Sequence, residues 1–282
     1  MKALFSVKGV LVEVNVYQVD SFTSEVFKGN PAGVCITDSA LDESQMYAIA
    51  AEMAVSETAF LAMDTMQLRW FTPEVEVKLC GHGTLAVAHI LKQLDLYKTG
   101  DTIGFHTLSG LLTAELDIDE IHLTFPAPVL EFDAEINVEL IERIGLHKSN
   151  ILDYGIFDTK QFIVISDEAL LYQLEPDFSS MAKLQGRGVL ITTQKSQTNE
   201  IEGVDFVSRY FAPWVGVNED PVTGSAHCAL SVYWSKALNK TKLKAYQASR
   251  RGGYVDVEQL DANTVKLSGK AVTVLQGQMR IA

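Results

Sequence analysis

Apolar and polar residues alternate through Leu11-Val12-Glu13-Val14-Asn15-Val16-Tyr17-Gln18-Val19, with β-branched side chains in excess. A period of two predicts a strand. Gly29-Asn30-Pro31-Ala32-Gly33 predicts a turn, after which Val34-Cys35-Ile36 resumes a strand. Met46, Ile49, Ala50 and Met53 then fall at helical spacing behind Asp42, a side chain suited to cap a helix. Ser56 to Leu61 predicts the start of a strand, and Leu68 to Phe71 another that ends near Pro73. The segment from Thr84 to Leu94 is apolar on most sides, with His89, Lys92 and Gln93 as its strongly polar members. That pattern predicts a buried helix, and Ala226 to Trp234 has the same character. Each half is thus predicted to wrap strands around a central helix, an α+β arrangement.

The two apolar helices follow related segments. Arg69-Trp70-Phe71-Thr72-Pro73 precedes Cys80-Gly81-His82-Gly83-Thr84, and Arg209-Tyr210-Phe211-Ala212-Pro213 precedes Asp220-Pro221-Val222-Thr223-Gly224-Ser225. The Arg-aromatic-Phe-x-Pro copies lie 140 residues apart, and the Gly83-Thr84 and Gly224-Ser225 pairs lie 141 apart. A period this long in a chain of 282 residues points to two similar halves. Ile121 to Pro128, broken by two prolines, marks the crossing between them. The expected division is a first lobe over 1–124 and a second over 125–270, with the strand at about 271–282 free to return to the first.

Composition narrows the classes. A net charge of −13 excludes a phosphate-tracking basic stripe, so no nucleic-acid partner is expected. Cys35, Cys80 and Cys228 are too few and odd in number for a disulfide scaffold and suit a reducing compartment. Met1 to Gly9 lacks the apolar core of a signal peptide, and no run approaches the ~18 apolar residues of a membrane span. A cytoplasmic protein without membrane contact is expected.

Both glycine-containing turns lead into helices, whose first amides are free donors that favour an anion. Two such ends facing each other would enclose a small carboxylate. The turns are not a Walker site, which needs Gly-Lys-Ser/Thr, nor a Rossmann fingerprint. No Gly-x-Ser-x-Gly elbow is present, and His82, His89 and His227 lack metal-ligand spacing, so no metal is expected. Several side chains admit two readings. Asp220 is a helix N-cap or a cleft group, and His82 a bonded loop histidine or a catalyst. Cys80 is a thiolate lowered by a helix end or a small buried residue. Glu57, entering an apolar strand, is either a carboxyl of raised pKa suited to proton transfer or a solvated strand end. Arg250 and Arg251 are surface charge or a substrate contact.

Taken together, Asp20-Ser21-Phe22-Thr23, Phe27 to Val34, Ser56-Glu57-Thr58-Ala59-Phe60, Cys80 to Thr84 and Glu219 to Ala226 resemble the PhzF-like phenazine-biosynthesis isomerase family. The resemblance covers nearly the whole chain in order. It implies a diaminopimelate-epimerase-like fold: two pseudo-symmetric lobes, each a curved, mostly antiparallel sheet around a central helix, with the active site between them. It also implies a homodimer that needs no metal or organic cofactor. By motif, Glu57 matches the general acid/base, and His82 and Asp220 match cleft residues that orient substrate and move protons. Gly83, Thr84, Gly224 and Ser225 fall where amides and a hydroxyl would hold a carboxylate, and Asn30 matches a pocket-facing position. A two-base epimerase of this fold needs a thiol in each half. Cys80 matches the first, but the second half has Asp220-Pro221-Val222-Thr223 there, and Cys228 lies inside the predicted helix. Proton transfer on one face by Glu57 is therefore expected. An epimerase using Cys80 with another partner, or a non-catalytic small-acid binder, stands as the alternative.

Overall fold

In a computed structural model of the chain, residues 12–196 and 201–281 are described. Leu11, the first residue of the first predicted strand, lies outside them, as do Met1 to Gly9 and Ala282. The first half runs β1 (Val12–Ser21), β2 (Asn30–Thr37), α1 (Glu43–Met53), β3 (Glu57–Ala62), β4 (Gln67–Phe71), β5 (Glu76–Val77), α2 (Gly81–Gln93), β6 (Thr102–Thr107), β7 (Gly110–Leu116) and β8 (Ile121–Pro126). The second runs α3 (Val138–Ile144), β9 (Ile151–Phe157), β10 (Lys160–Ile165), α4 (Glu168–Gln173), α5 (Phe178–Met181), β11 (Val189–Gln194), β12 (Phe206–Ala212), β13 (Val217–Glu219), α6 (Gly224–Leu238), β14 (Lys242–Gln247), β15 (Gly253–Gln259) and β16 (Thr264–Gly269). A last strand, β17 (Ala271–Ile281), follows.

Strand pairing makes the two halves copies of one pattern. In the first, β1–β2 is antiparallel, β2–β3 parallel, β3–β4 antiparallel, β4–β6 parallel, and β6–β7 and β7–β8 antiparallel. The second repeats this through β9–β10, β10–β11, β11–β12, β12–β14, β14–β15 and β15–β16. The short strands β5 and β13 pair with β4 and β12 in the same way. The halves join where β8 pairs antiparallel with β16, Leu123 opposite Leu267. From there β17 returns along β1, Val12 opposite Ile281, and Thr273 bonds His89 of α2 at 3.0 Å. The fold is α+β with two pseudo-symmetric lobes, as expected.

Each lobe has a helix inside its sheet and helices outside it. Leu85 to Ala88, Ile90 and Leu91 of α2, and Ala226, Ala229, Leu230 and Trp234 of α6, are buried in one continuous core. Outside, α1 packs Met46 and Ile49 on Phe60 and Phe71, while α3 to α5 cover Ile163, Ile191 and Phe211. Strands β3 and β11 are therefore buried on both faces and read as apolar runs instead of alternating.

Three local expectations change. Asn30 to Gly33 belong to β2 and not to a turn; the turn ends at Gly29, whose φ is +62°. Pro31 fits the strand because pairing with β3 begins one residue later, at Ala32, leaving an edge beside it. The helix expected from Thr84 starts at Gly81, because Cys80 caps it by accepting the Gly83 amide on Sγ at 3.4 Å. The cap of α6 is Thr223 and not Asp220, and Pro221 lies outside the helix. Cap geometry therefore aligns Gly81 with Gly224, so the match of Gly83-Thr84 to Gly224-Ser225 gives way. No helix among the described residues is long and apolar enough to cross a membrane.

The duplicated arginine motif has a structural origin. Arg69 grips Glu76 of β5 with two bonds of 2.7 Å, and Arg209 grips Glu219 of β13 with bonds of 2.7 and 3.0 Å. Each guanidinium also lies over the phenylalanine two residues on, 5.0 Å from Phe71 and 4.8 Å from Phe211. Arg209 further donates to the carbonyls of Leu171 and Leu174, at the end of α4. Its side chain is 11% exposed and that of Glu219 17%. Arg209→Ala strands a half-buried carboxylate and two carbonyls, so it should cost about 3 kcal/mol in urea unfolding. Loss of the exposed Arg143–Glu139 pair should cost under about 0.5 kcal/mol. Equal effects from the two would refute the clamp.

Candidate active site

The N-termini of α2 and α6 meet at the lobe boundary. A Cβ placed on Gly81 would lie 3.7 Å from the Cα of Gly224, and one on Gly224 3.6 Å from the Cα of Gly81. Both helix ends thus converge on one place. Gly83 is small for a packing reason: its Cβ would sit 2.9 Å from Trp70 and 3.0 Å from the Cys80 sulfur.

The first lobe supplies an acid/base pair. Glu57 opens β3, where it pairs with Ala32 of β2, and His82 is the second residue of α2. The Ser21 hydroxyl donates to the His82 carbonyl at 2.8 Å and fixes that turn. Glu57 Oε2 lies 3.3 Å from His82 Nε2, and Cys80 Sγ lies 3.5 Å from His82 Nδ1. Burial would push Glu57 up, but the bond and charge of His82, with a bond from Ser56, hold it below the ordinary glutamate value. The expected raised pKa of Glu57 is therefore not found. Burial alone would lower His82, yet Cys80 and Glu57 pull it well above the usual imidazole range. Cys80 is pushed up, chiefly by burial, against the pull of His82, so the helix end does not make it a thiolate. The three groups shift one another through His82: the carboxyl is held down, the imidazole up and the thiol up.

The second lobe presents Asp220, walled in by protein but not fully covered. Asn30, wholly buried, reaches across the boundary and donates from Nδ2 to Asp220 Oδ1 and to the Val222 carbonyl, each at 2.8 Å. The Thr223 hydroxyl donates to Asp220 Oδ2 at 2.5 Å. Burial raises Asp220 to about 6; Glu57 adds to this, while His82, Thr223 and Asn30 oppose it. The raised carboxyl of the cleft is thus Asp220. Two carboxylates sharing one imidazolium have been driven apart in pKa.

Glu57, His82, Asp220 and Asn30 come together with Gly224 and Ser225 at the helix ends. Gly83 and Thr84 are engaged within α2: the Gly83 amide bonds Cys80 Sγ, and the Thr84 hydroxyl donates to the Cys80 carbonyl at 2.7 Å. Arg251 bonds Asp20 and the Gly29 carbonyl, at 2.7 and 2.8 Å, and is an inter-lobe clamp, while Arg250 is exposed. Two residues escaped the sequence reading. Gln247 donates to the Asp220 carbonyl and accepts the Thr223 amide, at 2.7 and 2.9 Å, fixing the loop before α6. Lys160 donates to the exposed Ser225 hydroxyl at 3.3 Å. A lone Gln and a lone Lys at strand ends carry no sequence signal. His227, whose Nδ1 lies 2.8 Å from the Thr223 carbonyl, is lowered by burial to about 4 and stays neutral.

One group of donor atoms on Glu57, Cys80 and His82, all within 4.8 Å of one another, could hold a metal ion. No histidine spacing announces it, because the three residues come from β3 and from the start of α2.

Comparison with known proteins places the chain in a family and a fold. The family profile described as "Phenazine biosynthesis-like protein" matches residues 19–277. A protein of Halalkalibacterium halodurans named an uncharacterized isomerase is 44% identical over 270 residues, covering 94% of this chain and 97% of its own. A crystal structure of a PhzF-family protein from Enterococcus faecalis superposes with a TM-score of 0.86 at 38% identity, over 95% of this chain and 99% of the other. At the level of fold alone, a hydroxyproline epimerase from Agrobacterium vitis, with trans-4-hydroxy-L-proline bound, gives a TM-score of 0.61 at 11% identity, over 95% and 93% of the two chains. The chain belongs to the PhzC-PhzF, phenazine biosynthesis-like family.

Proposed function

We propose that this protein is a cofactor-independent isomerase that moves a proton within a small carboxylate-bearing substrate. The observation that carries the reading is the Glu57–His82 pair on one wall and Asp220 on the other, at the point where two helix ends converge. Glu57 takes a proton from carbon, and the electron pair moves towards the substrate carboxylate. The amides at Gly224 and Ser225 stabilise the charge that grows there. The proton returns to a different carbon, from Glu57 or from the protonated form of Asp220, so one C–H bond breaks, one forms and a double bond shifts. Lys160, beside Ser225, neutralises the bound carboxylate. We take residues 1–124 with the returning last strand as one lobe and 125–270 as the other, in a cytoplasmic homodimer, as the family resemblance implies.

An epimerase built on Cys80 fits less well. Its thiol is held protonated by burial, and the matching cap position in the second lobe is Thr223.

A panel of small unsaturated carboxylates incubated in D2O and followed by NMR should reveal a substrate that gains deuterium and a shifted double bond. Inversion at one centre without a shift would favour the epimerase, and absence of exchange across the panel would count against catalysis. With such a substrate, Glu57→Gln should lower turnover at least ~10²-fold with binding largely kept. Near-normal turnover would remove Glu57 from the mechanism. Lys160→Ala should raise KM about tenfold and leave kcat within about threefold, since it acts on binding common to ground and transition states.

Asp220 also makes stability depend on pH. The native carboxyl holds its proton up to about 6, the unfolded one only to 3.8. Between these values the native state binds more protons, so this contribution is present below 3.8 and is lost as pH rises through about 6. Asp220→Asn should therefore stabilise the fold at pH 8 by on the order of 2 kcal/mol, with the gain vanishing by pH 4. Thermal unfolding across that range measures it, and a gain that does not change with pH would refute the raised carboxyl.

A further inference from the structure

The Glu57, Cys80 and His82 side chains meet the requirements of a site for a thiophilic divalent cation. Zinc takes N, S and O donors in tetrahedral geometry at about 2.0, 2.3 and 2.0 Å, which places its N and S ligands about 3.6 Å apart and its N and O ligands about 3.3 Å apart. Here His82 Nε2 lies 3.8 Å from Cys80 Sγ and 3.3 Å from Glu57 Oε2, and all three donors fall within 4.8 Å. A swing of the Glu57 carboxylate by about 1 Å, well within its rotamer freedom, closes the third edge. The donors are held from behind. Cys80 is the fixed cap of α2, His82 is the second residue of that helix with its carbonyl bonded by Ser21, and Glu57 is anchored by β-pairing with Ala32. The Glu57 side chain is 22% exposed, so the trio is reached from its side.

We propose that this trio binds zinc, and that zinc is a dead-end inhibitor of the protein. Binding exchanges protons for the metal: any protons on the donor atoms of Cys80, His82 and Glu57 pass to solvent, and thiolate, imidazole and carboxylate become the ligands. Thiolate and carboxylate together neutralise the dication. With the Nε2 lone pair on the metal, His82 has no proton there to share with Glu57, and Glu57 no longer accepts one from substrate. The inhibition arm rests on the isomerase reading; the binding arm does not.

The test titrates the purified chain with Zn(II), and in parallel with Co(II), whose thiolate complex has a near-ultraviolet charge-transfer band. One Zn(II) per chain is expected. Cys80→Ser should abolish the cobalt band and weaken zinc at least ~10²-fold, with His82→Gln as a second variant should the first fail to fold. Cys35→Ser and Cys228→Ser should keep the band, since both thiols are buried away from such a donor set. Absence of saturable zinc binding, or zinc held equally by Cys80→Ser and His82→Gln, would overturn the site. Zinc bound at Cys80 with catalysis unimpaired would overturn the inhibition and leave the binding site standing.

Discussion

A single buried amide ties the catalytic geometry to the fold. Asn30 has no exposed surface, and its nitrogen bonds both Asp220 and the Val222 carbonyl across the lobe boundary. It is the first residue of β2, and two residues further along the same strand Ala32 pairs with Glu57. At about 3.3 Å per residue, that offset sets the separation of the two carboxyl groups along the strand. One strand thus holds Asp220 of the other lobe with its end and positions Glu57 of its own lobe with its ladder. The left-handed Gly29 before it, and Arg251 bonded to that glycine's carbonyl, keep the strand end in register with the second lobe.

The two lobes share a skeleton and divide the chemistry. The arginine clamps, the sheet order and the capped central helices recur in both. At the matching positions, however, Glu57 at the head of β3 faces Val189 at the head of β11, and the cap Cys80 corresponds to Thr223. The first lobe therefore contributes a base and an imidazolium. The second contributes a carboxyl of raised pKa with a serine and a lysine beside a helix end. Electrostatics follows from that asymmetry. One imidazolium serves two carboxylates, and it sits nearer Glu57, so Glu57 stays ionised while Asp220 is raised. Geometry and protonation state are thus set by the same break in symmetry.

Much of the architecture was legible in the sequence because it is written in local periodicity. The apolar stretches after the two turns are central helices, and the duplicated Arg-aromatic-Phe-x-Pro segments do mark two similar halves. The exact helix start was not legible: Gly81-His82-Gly83 reads as a turn, and only the Cys80 cap makes it helix. Asn30 to Gly33 read as a turn for the same reason, since Gly and Pro signal a break unless a neighbouring strand holds them straight.

The sequence by itself determined which titratable residues are candidates for chemistry and that apolar helices follow the two turns, because residue identity and short-range spacing need no folding to be seen. Only the tertiary structure decided the protonation states and the partners. A raised Glu57 was one of two readings, yet the imidazole that lowers it lies 25 residues further along the chain, and the Asn30 amide that bonds Asp220 lies 190 residues away. Gln247 and Lys160 join the site for the same reason. A pKa and a hydrogen-bond network depend on which groups are within a few ångströms, and that is a property of the packed chain, not of the order of its residues.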